Sequence, residues 1–511
     1  MPLPSVTGFR STILPAATLL LLGTAGCAVG PDYEAPEFAA PDIWENAAAA
    51  DMADTNAVLV TWWTAFNDTL LNNLMAEADD GNLDLVQAVG RLKEARAFRQ
   101  IAGGDYWPQV GLDGGFTRSE ASENGSFGGL VGAGASNPSS NWEFGLGASW
   151  ELDVFGRVRR SVEAASAQVD ASREDYRDVL VSLYADIATT YVSIRSLQTR
   201  LEFARNNVDS QRETMEVVMA REDAGLVSML DVTRARSNLA NTEATIPQLE
   251  TRLEIERNLL ALLLGKAPGA YDRRLAAPTT VGMPDYEVIV DLPANMLRRR
   301  PDVRRSERNL AAQTARIGMA TADLYPSFSL AGVLSLEATD FNDLSKSGSL
   351  GWTLAPGVRW NLFAGGKIRG QIKVEEARTE QALAAYEQTV LRALGEVENA
   401  LVAVRQEEMR LGSLQTAVEA SQQSVELVHT QYIEGLTDFQ NYLDAQRDLF
   451  LQQDQMAASM GQVFTNLANL NRALGGGWSL DDPDPDLPVT AEDMASAGGG
   501  EADSATTEEV N

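Results

Sequence analysis

Few residues in this chain could carry chemistry. Among its 511 residues there is one cysteine, Cys27, and one histidine, His429. One residue of each kind excludes a disulfide framework, a cysteine-based zinc cluster and a multi-histidine metal site. The sequence also contains neither a glycine-rich phosphate loop followed by Lys nor a G-x-S-x-G nucleophile elbow. We therefore expect no catalytic residues, no bound metal and no cofactor.

Cys27 stands at the end of a segment typical of a secretory signal. Residues 1–26 hold one charge, Arg10, followed by a short apolar run and the small residues Thr24-Ala25-Gly26. A positive start, a short apolar run and small residues before a cut site are the features of a signal peptide. The segment resembles a bacterial lipobox, which predicts a signal peptide over residues 1–26 and lipid (palmitate) attachment at Cys27. Ala28, at the next position, favours sorting to the outer membrane.

The charge of the chain is negative and unevenly placed. The formal net charge is −31, from 72 acidic and 41 basic residues. It excludes a nucleic-acid-binding protein, because such proteins gain affinity through Lys and Arg. Residues 481–511 contain ten acidic residues and no basic one. Such a segment buries too little apolar surface to offset the entropy of ordering it, so we predict an acidic disordered tail over residues 478–511.

The rest of the sequence is one unit present twice. One set of residues recurs 210 positions later and a second, upstream set recurs 218 positions later. The sets are Trp150, Gly225, Ala235, Leu239, Leu264 and Gly265, and Asp84, Leu92, Ala97, Ala102, Asp105 and Pro108. The eight-residue difference falls between Pro108 and Trp150. Each copy therefore reads as a helix, two extended segments, a very long helix and a returning helix.

The extended segments alternate between apolar residues and small or charged ones. From Trp142 to Val154 every even position is apolar, and the positions between them are Glu, Gly, Ser or Asp. Successive side chains of a strand point to opposite faces, so one face is apolar and the other is polar or small. Alternating segments of about ten residues with aromatic ends are typical of membrane barrel strands. We predict strands at about 108–118, 141–155, 326–337 and 351–363. About eight strands are the practical minimum for a barrel, so we expect an oligomer to complete it.

Two helical segments are unusually long. No Gly or Pro occurs between Gly156 and Gly225, whereas an average globular helix has roughly 11–12 residues. Apolar residues three or four apart form a narrow stripe, which favours packing against helices on one side and water on the other. Gly225 and Gly435 stand at the reversals, where a left-handed residue is needed. We predict long helices at 157–224 and 367–434, and returning helices at 226–264 and 436–474.

These expectations define a fold class that is mainly α with a membrane β-barrel, built from a duplicated unit with four barrel strands and long helices per protomer. The segments are a signal peptide (1–26), a lipidated N-terminal segment (27–81), repeat 1 (82–265), a linker (266–299), repeat 2 (300–477) and the tail (478–511).

Short motifs are spread over the chain from Cys27 to about Gly477. They are Cys27-Ala28-Val29-Gly30-Pro31-Asp32-Tyr33, Trp62-Trp63, Asn82-Leu83-Asp84-Leu85, Arg299-Arg300-Pro301-Asp302-Val303 and Tyr325-Pro326. In combination they resemble the TolC-type outer-membrane factor family, specifically the lipoprotein branch serving RND efflux pumps (NodT/OprM-like). The resemblance implies a homotrimer with a twelve-stranded barrel in the outer membrane and a twelve-helix periplasmic tunnel, girdled by an equatorial region. It implies three further partners: a periplasmic adaptor protein, an inner-membrane RND pump and outer-membrane lipid.

The resemblance also assigns roles to the helix reversals. The periplasmic tips at Gly225-Leu226 and Gly435-Leu436 would contact the adaptor. The pore gate would consist of Asp444, Asp231 and Tyr432, with the last two forming a latch pair. Thr437 stands where some members have the arginine partner of that latch, and Asn441 stands where a second acidic ring would lie. The implied function is passive export of small molecules such as drugs or toxic compounds.

Two other functions stay open at this point, a type I secretion channel and a periplasmic coiled-coil lipoprotein scaffold without a pore. The lipobox and Trp62-Trp63 favour efflux over protein secretion, and the alternating strands argue against a scaffold.

The arginines from Arg298 to Arg305 could suggest a phosphate site. Asp302, directly after Pro301, instead favours structural pairing at the start of a helix.

Overall fold

The computed structural model describes residues 28–38, 41, 43–46, 60–120, 139–277, 293–479 and 485. Cys27, the predicted signal peptide and most of the predicted tail lie outside the described residues. The described part is mostly helical. Its helices are α1 (Thr69–Gly81), α2 (Leu83–Gly104), α3 (Arg157–Asp223), α4 (Met229–Leu263), α5 (Asp272–Leu275), α6 (Pro293–Arg299), α7 (Pro301–Ala322), α8 (Lys367–Ile433) and α9 (Phe439–Ala473). Its strands are β1 (Gln109–Ser119), β2 (Ser139–Leu152), β3 (Ser327–Ala338) and β4 (Leu350–Arg359).

The described residues form two compact units, and each unit takes segments from both repeats. The first unit lies within Met1–Glu37, Glu94–Ala171 and Ser306–Tyr386 and contains all four strands. The second lies within Phe38–Lys93, Ser172–Arg305 and Glu387–Asn511 and contains both helix reversals. The sequence repeat and the compact units thus divide the chain differently.

The four strands of the first unit form one antiparallel sheet in the order β1-β2-β3-β4. The alternation in the sequence separates its two faces. Leu112, Leu146, Leu334 and Trp352 lie in register across all four strands and are 47–76% exposed. The next row, on the opposite face, consists of Asp113, Gly145, Ser335 and Gly351. The sheet therefore presents an apolar face that the described residues leave uncovered.

The second strand of each copy ends earlier than the alternation predicts. β2 ends at Leu152 because Asp153 caps α3: its two carboxylate oxygens accept hydrogen bonds from the main-chain nitrogens of Val158 and Arg159, both at 2.9 Å. The position 210 residues after Asp153 holds Phe363, which is 92% exposed and has no side-chain oxygen.

The start of α8 consequently differs from the start of α3. α8 follows Gly365 and Gly366, whose φ angles are +59° and +84°. The first copy has one left-handed glycine before its long helix, Gly156 at φ +83°, together with the Asp153 cap, so the second copy differs by one additional left-handed glycine and by the lack of that carboxylate.

The helices have the same lengths in both copies. α3 and α8 each have 67 residues, and α4 and α9 each have 35. At about 1.5 Å per residue the long pair spans roughly 100 Å each. Buried residues of α3 follow at intervals of three or four, including Leu183, Ile187, Tyr191 and Ile194. None of the helices in the described ranges combines the length and hydropathy needed to cross a bilayer.

The arginine cluster at α7 is paired structurally, as the sequence indicated. Arg300 is 7% exposed and bonds both oxygens of Asp302 at 2.7–2.9 Å and Glu396 at 2.7 Å. Burial alone would raise the pKa of Asp302, but the hydrogen bonds and charge of Arg300 hold it below its ordinary value. Arg305 bonds Asp178 at 3.0 Å, yet burial outweighs this pair and raises the pKa of Asp178.

Trp478 was predicted to lie in the disordered tail (478–511), but its side chain is buried, with 2% exposed. The guanidinium of Arg177 lies 4.3 Å from the centre of its ring and that of Arg304 lies 5.8 Å away. The sequence did not predict this burial, because Trp478 stands next to an acidic segment and its arginine partners lie far away in the sequence.

Candidate functional site

The two helix reversals have the same backbone geometry. α3 ends in a left-handed Gly225 (φ +70°) and α8 in a left-handed Gly435 (φ +75°). In the first turn Leu226 N–H donates to the Arg221 carbonyl at 2.8 Å and Gly225 N–H to Glu222 at 2.7 Å. The second turn repeats both bonds, from Leu436 to Gln431 at 2.8 Å and from Gly435 to Tyr432 at 3.1 Å. Each reversal is therefore a Schellman-type helix end, whose left-handed backbone favours glycine.

Apolar side chains at the two turns face water in the described structure. Leu226 is 69% exposed and Leu436 is 73% exposed. Met229 and Leu230, which start α4, are 59% and 56% exposed. Exposed apolar side chains grouped at one place are a common mark of a protein–protein contact.

All four helix ends contribute to one buried cluster, which we call the tip core. It consists of Val218, Val232, Ala235, Tyr432, Phe439, Tyr442 and Leu443. The rings of Tyr432 and Tyr442 are stacked with centroids 6.0 Å apart, and Phe439 lies 5.3 Å from Tyr432. The tip core joins the α3/α4 hairpin to the α8/α9 hairpin.

Arg221, in the last turn of α3, holds Tyr432 in two ways. Its guanidinium carbon lies 4.7 Å from the centre of the Tyr432 ring, and its Nη1 donates to the Tyr432 carbonyl at 3.2 Å. That carbonyl belongs to the last turn of α8, where a cation is favourable. Arg221 thus links the ends of both long helices.

The structure does not join the predicted latch pair by a hydrogen bond. Among the described residues the hydroxyl of Tyr432 is buried without a hydrogen-bond partner. Asp231 instead accepts from Ser228 N and Ser228 Oγ at 3.2 and 3.1 Å, which closes the first turn of α4. Burial raises the pKa of Tyr432; the Arg221 guanidinium opposes this shift and the Asp231 carboxylate adds to it.

The third predicted gate residue, Asp444, lies one helical turn into α9. Both of its oxygens accept from Gln440 Nε2 at 3.0 Å, and Arg447 lies 3.8 Å away. Its side chain is 53% exposed, so the carboxylate is accessible to solvent although it is paired within its own helix. Asn441 Nδ2 donates to Thr437 Oγ1 at 2.8 Å. The residue at the position of the second acidic ring therefore pairs with the residue at the position of the latch arginine.

Sequence reasoning missed most of the tip core. Tyr442 accepts from Gln446 Nε2 at 3.0 Å and lies 5.2 Å from the exposed ring of His429. Tyr432, Phe439 and Tyr442 are three aromatic residues close to one turn, and this spacing could have predicted that they pack together. Arg221 carried no signal, because its partner lies 211 residues away. No group of three or more possible metal ligands occurs in the described part of the chain.

An open antiparallel sheet with an apolar face, joined to two long-helix hairpins, defines a class of outer-membrane channel. The chain belongs to the outer membrane efflux protein family, whose model matches residues 74–266 and 292–476. It is 33% identical over 472 residues to nodulation protein T of Rhizobium leguminosarum bv. trifolii, covering 92% of this chain and 98% of that protein. It is 30% identical over 483 residues to the toluene efflux pump outer membrane protein TtgF of Pseudomonas putida, covering 93% and 98%.

A solved structure agrees with the sequence relatives. The outer-membrane channel OprN superposes with a TM-score of 0.82 at 35% identity, covering 88% of this chain and 100% of that one. The predicted family membership is confirmed, and the chain is an outer-membrane efflux channel protein. By name, TtgF is an efflux pump outer membrane protein and OprN is an outer-membrane channel, and none of the three is named as an enzyme.

Proposed function

We propose that this chain is the exit duct of a tripartite RND-type efflux system. Small molecules such as drugs or toxic compounds leave through it passively, driven by an inner-membrane RND pump and handed over through a periplasmic adaptor. The working unit is a homotrimer with a twelve-stranded barrel and a twelve-helix tunnel. The names of relatives such as the toluene efflux protein support small apolar cargo.

The observation that carries this proposal is the open sheet of the first unit. Its apolar row is exposed on every strand, and β1 and β4 each pair on one side only. An unpaired strand edge cannot be left in lipid, because each unsatisfied main-chain group costs several kcal/mol there. β1 and β4 run antiparallel to each other in the order given, so β4 of one copy can pair with β1 of the next. Three copies of four strands make a closed barrel of twelve.

The tip core supports a closed resting state of the duct. It fixes the α3/α4 hairpin to the α8/α9 hairpin through Arg221 and the stacked tyrosines. In a trimer, Asp444 would repeat three times around the axis and form an acidic ring that favours cations. Opening then requires the two hairpins to part at the tip core, with Asp231 and Tyr432 on opposite sides of the gap.

The exposed leucines of the turns support the adaptor contact. Leu226 and Leu436 occupy equivalent positions of the two copies and lie beside the left-handed glycines. A trimer offers six such turns, which suits a partner that binds as a ring.

Conductance across a planar lipid bilayer tests the duct. Purified wild-type protein should give a small conductance, and the double variant Asp444→Asn/Tyr432→Ala should give a larger one with weaker cation preference. The matched control is Asp454→Asn, in the same helix but further from the turn. It breaks an ion pair with Arg200 (2.7 Å) and should leave the conductance unchanged. A protein that never conducts, in any of these variants, is not a duct.

Lipid attachment at Cys27 is tested separately, because the cysteine lies outside the described residues. Wild-type protein from cells fed a labelled fatty acid should carry the label, and Cys27→Ser should not. Equal labelling of both would remove the lipid anchor from the proposal without affecting the duct.

A further inference from the structure

We propose that β4 of one copy pairs with β1 of the next in a register that places Arg359 opposite Asp113 of the neighbouring copy. Three equivalent ion pairs would then close the seams between protomers. The inference rests on the proposed trimeric channel and adds to it a defined interface, with named residues that each copy contributes.

The repeat preserves strand register inside the chain. Gln109 of β1 pairs with Ser149 of β2. Their equivalents, 218 and 210 residues later, are Ser327 and Arg359, and these two also pair, in β3 and β4. At the other end, Arg118 pairs with Ser140, and the equivalents Leu336 and Leu350 pair as well. Equivalent strands therefore keep equivalent partners to the residue.

The remaining internal pairing, between β2 and β3, is the template for the seam. β4 is the equivalent of β2, and β1 is the equivalent of β3. The outer edge of β4 should thus accept β1 of another copy as the outer edge of β2 accepts β3. Ser149 pairs with Ala331, and their equivalents are Arg359 and Asp113. Gly145 pairs with Ser335, and their equivalents are Ala355 and Thr117.

The faces of the strands agree with this register. Trp150 pairs with Leu330 on the apolar face, and the equivalents Trp360 and Leu112 are exposed apolar residues at 55% and 61%. A shift by one residue would place Trp360 opposite a residue of the polar face. The transferred register therefore continues one apolar face from copy to copy around the barrel.

The charges of Asp113 and Arg359 support the pairing. Both side chains are exposed, and neither has an ion-pair partner within 4.0 Å among the described residues. Opposite charges directly across two strands stabilise the pair, whereas like charges destabilise it. Pairing of β1 with β1, or of β4 with β4, would not bring Asp113 and Arg359 together. At the internal seam the equivalents are the neutral Ser149 and Ala331, so this charge pair marks only the junction between copies.

Disulfide cross-linking tests the register. Four positions are combined into four double-cysteine variants, two of them in register and two out of register. Asp113→Cys/Arg359→Cys and Thr117→Cys/Ala355→Cys are in register and should link copies into covalent dimers and trimers on a non-reducing gel. The exchanged combinations, Asp113→Cys/Ala355→Cys and Thr117→Cys/Arg359→Cys, are four residues out of register. Since a strand rises about 3.4 Å per residue, their cysteines lie too far apart for a disulfide and should stay unlinked. The single-cysteine variants control for Cys27.

The size of the particle in detergent separates this inference from the proposed function. A trimer in which the exchanged combinations link, or in which no combination links, overturns the register and leaves the duct intact. A monomer overturns both. As a second readout, Asp113→Arg should lower the temperature at which the trimer dissociates, and Asp113→Arg/Arg359→Asp should restore it. A loss in the exchanged-charge variant as large as in the single one also rules the ion pair out.

Discussion

The guanidinium of Arg221 lies over the ring of Tyr432, 4.7 Å from its centre, and bonds the carbonyl of the same residue at 3.2 Å. This contact ties the last turn of α3 to the last turn of α8. It lies in the region for which the resemblance implies a latch between Asp231 and Tyr432. Here the guanidinium of Arg221 joins the α3/α4 hairpin to the α8/α9 hairpin.

Removing the guanidinium should therefore loosen the tip. Arg221→Ala loses a partly buried cation–π contact and a charge-assisted hydrogen bond, together about 1–3 kcal/mol. We expect a several-fold rise in single-channel conductance or in the fraction of time spent open. The control is Arg212→Ala on the same helix, because within the described ranges Arg212 pairs with Asp209 and Glu243 of the α3/α4 hairpin and not with the α8/α9 hairpin. Equal conductance in both variants would show that Arg221 does not hold the tip closed.

Tyr432→Phe should not open the channel. The hydroxyl has no hydrogen-bond partner among the described residues, so its removal relieves a buried unsatisfied group. Stability should stay the same or increase by up to about 1 kcal/mol. Tyr442→Phe is the matched change in the same core, and it should lower stability by about 1 kcal/mol because Gln446 Nε2 loses one of its two acceptors and keeps Thr214 Oγ1. Thermal unfolding and bilayer conductance of both variants check this, and an open Tyr432→Phe channel would favour the latch.

The two carboxylates near Arg300 and Arg305 should respond oppositely to neutralisation. The pKa of Asp302 is lowered, so its charge stabilises the fold above the unfolded pKa of about 3.9, and this is lost as the pH falls through the folded value. Asp302→Asn should cost about 1.5–3 kcal/mol at pH 7, and the cost should decrease progressively as the pH falls through the folded pKa.

The pKa of Asp178 is raised, mainly by burial, so its charge destabilises the fold at neutral pH. Asp178→Asn should be neutral or stabilising at pH 7, and its difference from wild type should also vanish in acid. Urea unfolding at several pH values measures both variants. The same sign of change in the two variants at pH 7 would contradict the assignment.

Alanine at the turn glycine should be destabilising although it fits sterically. A Cβ at Gly435 would meet no atom within 4 Å, but its φ is +75°. Gly435→Ala should therefore cost about 1–2 kcal/mol from the left-handed backbone alone. Gly412, inside α8, also has open space but a helical backbone. Gly412→Ala should stabilise by about 0.5–1 kcal/mol, and thermal unfolding compares the two.

The sequence was most informative where a local rule determines the structure. The alternation around Trp142 and Trp352 located strands because a period of two separates two faces, and Gly225 and Gly435 located the turns because only glycine enters the left-handed region freely. The end of β2 was less readable, since Asp153 caps a helix instead of extending the strand. Arg221 and Trp478 could not be assigned, because each acts on a partner distant in sequence and neither stands out from its neighbours in type.

The unequal starts of the two long helices have a consequence for the proposed trimer. α3 begins after one left-handed glycine, Gly156, and is capped by Asp153, whereas α8 begins after two, Gly365 and Gly366, with Phe363 at the position of the cap. The connection from strand to long helix is therefore held by the Asp153 carboxylate in the first copy, and the equivalent Phe363 cannot supply such a group. In the proposed trimer these two kinds of connection would alternate, so the carboxylate-held one would occur three times around the ring and not six.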